Sequence, residues 1–229
     1  LSNNRVESVE RALIILECFN QQKKSMTLTE IALATGMYKS TVLRLASSLE
    51  RFNFLIRSPD GQYRIGQSLW RLGQLYQSDI NIEQSVRSEL KKLVTNTRET
   101  ASFYIREADF RVCLYRENSV LAARHHLDEG TTLPINNGAS GHVLLAFTDT
   151  ETELTKYNKT RELKYAISLG ERDPSIAAIA VPVFSGNNTF IGALALSGIV
   201  TRFTQDHQDN LLKELKEAAI RLKTQIAAY

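Results

Sequence analysis

LTEIALATGMYKSTVLRLASSLERFNFL, residues 28–55, holds two helical patterns separated by one glycine. In the first, Leu28, Ile31, Ala32 and Ala34 share a side, and Thr27 or Thr29 can cap its start. Gly36 ends it, because a residue without Cβ takes a positive φ freely. The second pattern runs from about Lys39 to Phe52, with Val42, Leu43, Leu45, Ala46 and Leu49 expected inward. Upstream, SVERALIILECF (8–19) predicts another helix, capped by Ser8, with Val9, Ala12, Leu13, Leu16 and Phe19 on its apolar side. The polar QQKKS between them reads as a loop. Downstream, FLIRS (54–58) and QYRIG (62–66) read as two strands joined by the tight turn Pro59-Asp60-Gly61. Residues 1–66 therefore predict three helices and a hairpin, the layout of a winged helix-turn-helix.

That layout places one helix start where it can enter a DNA major groove. The start offers Tyr38, Lys39, Ser40 and Thr41, with Arg44 one turn on. The hairpin adds Arg57 and Arg64, which can reach phosphates or a minor groove. Charge is distributed to match. Residues 1–75 carry ten Lys/Arg against six Asp/Glu, and residues 76–229 carry 18 against 19. The total of +3 says little, but the first third is a basic head on a nearly neutral remainder. The competing reading is a small helical domain whose cations are merely solvated; the polar helix start and the basic hairpin favour DNA.

Beyond the hairpin, QSLWRLGQLYQSD (67–79) predicts a helix, and residues 81–97 another. Trp70 and Tyr76 on the first of these suit a packing or dimer seam. From residue 101 the pattern shortens. ASFYIRE, RVCLYRE and VLAARHHL (120–127) read as strands between charged turns. GASGHVLLAF (138–147) reads as a helix, AAIAVPVF (177–184) and FIGALALSG (190–198) as a strand pair, and 204–227 as an amphipathic helix. This predicts an α+β domain of about 150 residues, enough to bury its own core. The expected division is 1–66 DNA-binding, 67–79 linker helix and 80–229 sensor.

The chain resembles the IclR family of bacterial transcriptional regulators. The resemblance is carried by SVERALIILECF, LTEIALATGMYKSTVLRLASSLE and SPDGQYRIGQSLWRLG, then by LPINNGASGHVLLAF, KYAISLGERDPSIAAIAVPVF and ALALSG. It implies a winged helix-turn-helix, a linker helix and a GAF-like α/β effector-binding domain. It also implies homodimers or tetramers on palindromic or repeated operator sites in double-stranded DNA. The effector in such families is a small metabolite, usually an organic acid. By the resemblance it would meet Gly138, Ala139 and Ser140 of the loop before the central helix, where backbone N–H groups and a helix N-terminus suit a carboxylate. Ser168, Ala178, Ala195 and Ser197 align with positions where better-known acid-binding members have an acidic residue, a cysteine and two serines. Only Ser197 keeps its type. Fewer polar partners predict an effector with an apolar or aromatic part and one carboxylate or amide end. The stretch between Phe147 and Lys164 is shorter than usual for the family, which predicts a more open rim.

Other signals are weaker. Two cysteines cannot build a disulfide framework or a four-cysteine zinc site. In a strand, His125 and His126 would point to opposite faces, so no metal or other cofactor is expected. Ser140 has His142, not glycine, two residues on, which departs from the nucleophile elbow, and Cys113 sits in an apolar strand. No run of 18 apolar residues and no apolar leader is present, so a cytoplasmic protein without a membrane span is expected. A sensor acting through protein contacts and a small-molecule enzyme are the two other function classes; neither is supported by a comparable motif.

Overall fold

The computed structural model describes residues 5–20, 22–79, 82–148 and 157–226, with backbone only over 76–79. The chain divides into two compact units, Leu1–Ile80 and Asn81–Tyr229.

The first unit contains α1 (Glu7–Glu17), β1 (Ser25–Met26), α2 (Leu28–Thr35), α3 (Lys39–Arg51), β2 (Leu55–Arg57), β3 (Tyr63–Ile65) and α4 (Gln67–Asp79). Of the two threonines that could cap α2, Thr27 does so. Its hydroxyl accepts from the Glu30 N–H, while the Glu30 carboxylate accepts from the Thr27 N–H at 2.7 Å. Gly36 closes α2 at φ +68°. The core is Ile15, Met26, Ile31, Ala32, Val42, Ala46, Leu55 and Tyr63.

Three expectations need correction here. Val6, not Ser8, occupies the cap position of α1, without a side-chain bond. The buried stripe of α1 runs through Ala12, Ile15, Leu16 and Phe19, leaving Val9 and Leu13 exposed. The apolar residues of this helix fill more than one face, so spacing alone did not choose between two stripes a turn apart. Leu43 is likewise exposed, because the stripe of α3 is 42, 45, 46 and 49 and position 43 lies off it. The polar loop also ends in a strand not expected from sequence: Ser25 and Met26 pair with Arg64 and Tyr63, giving a three-stranded sheet β1-β3-β2.

The second unit contains α5 (Glu83–Thr97), β4 (Thr100–Glu107), β5 (Phe110–Glu117), β6 (Thr132–Pro134), α6 (Ala139–Thr148), α7 (Asn158–Leu163), β7 (Ala166–Leu169), β8 (Ile176–Phe184), β9 (Phe190–Ile199), a 3-10 turn and α8 (Gln205–Gln225). All neighbouring strands are antiparallel, in the order β6-β5-β4-β9-β8-β7. Alternation assigns the two sheet faces. Ala178, Ala180, Ala193 and Ala195 lie on the face that packs α6. Their neighbours Ile179, Leu194 and Leu196 are fully buried on the other face, where α5 and α8 pack. Small residues on one face and large ones on the other leave room beneath α6.

VLAARHHL does not form a strand. It is held instead by side chains: Thr100 Oγ1 and Arg116 Nη2 both donate to the His125 carbonyl. The short strands β6 and β7 and the helix α7 were not expected. Half of the short stretch between Phe147 and Lys164, residues 149–156, and the side chain of Tyr76 lie outside the described residues. Among the described residues, no helix is long and apolar enough to cross a membrane.

Candidate functional site

The first unit presents the start of α3 to solvent. Tyr38 takes the cap position in extended backbone and is 86% exposed. Lys39, Ser40 and Arg44 are exposed and Thr41 is half-buried. No acidic residue stands in the first turn, so the helix N-terminus and Lys39 add in one positive sense. Among the described residues, no ion pair engages Lys39, Arg44, Arg57 or Arg64. Thr41, Arg44 and Ser48 also wall a groove completed by Glu7, Ser8 and Arg11 of α1.

The wing is more divided than its sequence implies. The Pro59-Asp60-Gly61 turn forms, with the Asp60 carboxylate accepting from the Gln62 N–H at 3.1 Å. In the β2–β3 register, Arg57 stands opposite Tyr63, and Arg64 stands opposite Ile56. Alternation then puts the two arginines on opposite faces of the hairpin. Arg57 lies over the Tyr63 ring, 5.5 Å from its centroid.

The second unit contains a cavity of about 40 Å³. All seven residues singled out from sequence line it: Gly138, Ala139, Ser140, Ser168, Ala178, Ala195 and Ser197. The loop reaches it because Gly138 turns at φ +83° and Gly141 packs where a Cβ would lie 2.0 Å from the Ile135 carbonyl oxygen. The sheet residues reach it by register, since Ala178 pairs with both Ser168 and Ser197.

Sequence reasoning missed the charged part of the wall, which includes Arg111, His125 and Arg172. Arg111 is 4% exposed. Its Nη1 donates to the Asn137 carbonyl, its Nε has no partner, and it lies over the Tyr104 ring at 5.8 Å. Among the described residues, no carboxylate pairs with it. Burial pulls its pKa down, the expected response of a cation removed from water, and the nearby Glu171 charge offsets only part of that.

His125 bridges two other wall residues. Arg172 Nη2 lies 2.7 Å from its Nε2, and Ser197 Oγ lies 3.1 Å from its Nδ1. A guanidinium can only donate, so Nε2 is the acceptor and Nδ1 carries the proton toward Ser197. Burial, reinforced by the Arg116 and Arg172 cations, pushes the imidazole pKa down to about 3. The ring is therefore neutral at pH 7. His126 instead faces Asp128 at 3.7 Å and is largely exposed, while His142 faces Glu171 at 3.3 Å. Cys113 is fully buried, and burial pushes its thiol pKa up.

One occupant of the loop was also not expected. Glu171, in the β7–β8 connection, accepts from the Gly138 N–H at 2.8 Å. The only signal that could have located these charged residues is the run Glu171-Arg172-Asp173 between two apolar strands.

Comparison with known proteins agrees with both halves. The IclR helix-turn-helix domain matches residues 8–59, and the bacterial transcriptional regulator IclR C-terminal domain matches 74–164 and 147–224. The regulator XynR of Escherichia coli is 28% identical, over 95% of this chain and 96% of its own. A solved IclR-type regulator from Silicibacter sp. TM1040 superposes with TM-score 0.82 at 24% identity, covering 97% of each chain. An IclR homologue from Microbacterium hydrocarbonoxydans, solved with 4-hydroxybenzoate, gives 0.82 at 21% identity over 96% of this chain and 99% of that one. These last two share the fold. With family models spanning most of its length, the chain belongs to the IclR family of DNA-binding transcriptional regulators.

Proposed function

We propose that this regulator binds its operator through Tyr38, Lys39, Ser40, Thr41 and Arg44, and that a small organic acid in the second-unit cavity modulates that binding. As a family of transcription regulators, its relatives are not enzymes. The observation that carries the effector reading is Arg111: a buried guanidinium with no carboxylate partner, on the wall of a cavity, calls for an anion from outside. Leu133, Ala139, Ile176, Ala178 and Ala195 supply an apolar remainder. Together they suit a carboxylate on an apolar or aromatic body. The homologue solved with 4-hydroxybenzoate supports that class. Exposed Val9 and Leu13 on α1 and Trp70 on α4 support assembly into dimers, which would place two α3 helices on repeated half-sites.

The acid acts by binding one arrangement of the protein better than another, and it can shift operator affinity only by that difference. A gel shift on the DNA upstream of the gene, across a salt series and with a panel of aromatic and aliphatic acids, tests the whole reading. Sequence-specific, salt-dependent binding altered by at least one acid is expected. Operator binding indifferent to every acid that binds the protein overturns the effector role.

A further inference from the structure

The place where an effector carboxylate is expected to bind is already taken by a carboxylate of the chain itself. Glu171 Oε2 accepts from the Gly138 N–H at 2.8 Å and lies 3.3 Å from His142 Nε2. Gly138 immediately precedes α6, so this carboxylate sits at a helix N-terminus, on a backbone donor beside the buried Arg111. The next residue of the same connection, Arg172, lines the cavity and donates to His125 Nε2 at 2.7 Å. The connection between β7 and β8 thus borders the cavity, which Arg172 and Asp173 line, while Glu171 reaches the Gly138 N–H from outside that lining; one anionic and one cationic side chain fasten it. The space in the cavity is about 40 Å³. That is room for roughly three waters, and too little for an aromatic acid.

We propose that Glu171 is a built-in competitor for the effector, holding the anion site on Gly138 until an incoming carboxylate displaces it. The proposal rests on the effector reading above and specifies its regulation. An acid that takes the Gly138 N–H releases Glu171, and with it one of the two fastenings of residues 170–175. Acid binding is thereby coupled to movement of that connection. Selectivity follows as well: a ligand without an anionic group cannot replace what Glu171 supplies. The apparent affinity of the site is reduced by the fraction of time the connection is closed.

The test uses the full chain and three variants, Glu171→Ala, Glu171→Gln and Asp173→Asn, with 4-hydroxybenzoate and acetate as probes. Affinities are measured by calorimetry, and the Gly138 amide is followed by NMR. In the proteins without ligand, the Gly138 amide resonance is expected to lie at a different position in Glu171→Ala than in the parent, because its acceptor has been removed. Glu171→Ala is expected to bind 4-hydroxybenzoate about tenfold or more tightly, with acetate shifting the Gly138 amide in this variant at lower concentration than in the parent. Glu171→Gln keeps an oxygen acceptor without the charge and is expected to fall between. Asp173→Asn removes a neighbouring charge that is bonded to Ser175, not to the loop, and is expected to gain little. Equal gains in Glu171→Ala and Asp173→Asn reduce the effect to general electrostatics and overturn the proposal. So does unchanged affinity in Glu171→Ala, or failure of both probes to move the Gly138 amide in any variant. If the probes bind and alter the operator gel shift while the Gly138 amide stays unmoved, the competitor role fails and the effector reading stands. If no acid binds parent or variants, both fail.

Discussion

Replacing Arg111 by methionine separates what the guanidinium does for the fold from what it does for a ligand. Arg111 makes two favourable contacts within the fold, a charged hydrogen bond to the Asn137 carbonyl and a place over the Tyr104 ring at 5.8 Å. The first is worth about 1.5–3 kcal/mol, the second about 1 kcal/mol. Against them stands the desolvation of a cation that is 4% exposed with no carboxylate paired to it, a cost of several kcal/mol. The two sides nearly balance. Arg111→Met is therefore expected to leave the ligand-free stability of the second unit within about 1 kcal/mol, a Tm change of roughly 2–4 °C. Removing one partner of an ordinary buried ion pair costs about 3–5 kcal/mol instead. Binding of 4-hydroxybenzoate should suffer the loss that the fold escapes, about 10–100-fold for one charged hydrogen bond. Scanning calorimetry of the full chain with and without the acid measures both quantities. A variant that loses 3 kcal/mol or more without ligand, or that binds the acid as tightly as the parent, refutes the assignment of Arg111 as an anion receptor.

Three further outcomes are expected. Lys39→Ala and Arg44→Ala each weaken operator binding by about 1–3 kcal/mol in gel shifts while leaving the unfolding transition in place; unchanged affinity in both removes α3 from the interface. His125 takes up a proton near pH 6.5 when unfolded but only near pH 3 when folded, so the unfolded state binds more protons between these values. Stability is then complete above pH 6.5 and is lost as pH falls toward 3, by at most about 1.4 kcal/mol per unit. Urea unfolding of the parent and His125→Asn between pH 6.5 and 5 shows whether the slope belongs to this ring. Gly141→Ala puts a Cβ 2.0 Å from the Ile135 carbonyl oxygen and 2.6 Å from Arg111 Nη1; a loss of about 2 kcal/mol or more by denaturant titration is expected, at the upper part of the overpacking range.

The recognition half was legible because its signals are local. Thr27 and Gly36 bound one helix of eight residues, and the hairpin turn is made by three consecutive residues. What was misread there, apart from the two-residue strand β1, concerns side rather than element: α1 has apolar residues on several faces, and only its neighbours decide that Ile15 is the one buried completely. In the sensor unit, the lining alanines and serines were located through the family resemblance, and the register of β7, β8 and β9 brings them together. The charged wall could not. Arg111 has its hydrogen-bond partner 26 residues away, and an arginine in a strand ordinarily reads as solvated. His125 sits in a segment whose alternation imitates a strand but whose carbonyl is held by Thr100 and Arg116. Nothing in the local pattern reports a fixation made across the fold.

The order of the six strands has a consequence for how the sensor is made. Strand β9 pairs with β4 on one side and β8 on the other, and it is the last strand in the chain. A nascent chain that has emerged only as far as residue 189 holds two separate half-sheets, each with a bare inner edge. Those edges are the type that recruits other chains. Closing them joins strands far apart in sequence, a slow step for a folding polypeptide. Ala195 and Ser197 enter with the same strand. The pocket is therefore among the last features to form during synthesis, and under the proposed effector reading a bound acid would hold the newly closed sheet in its finished state.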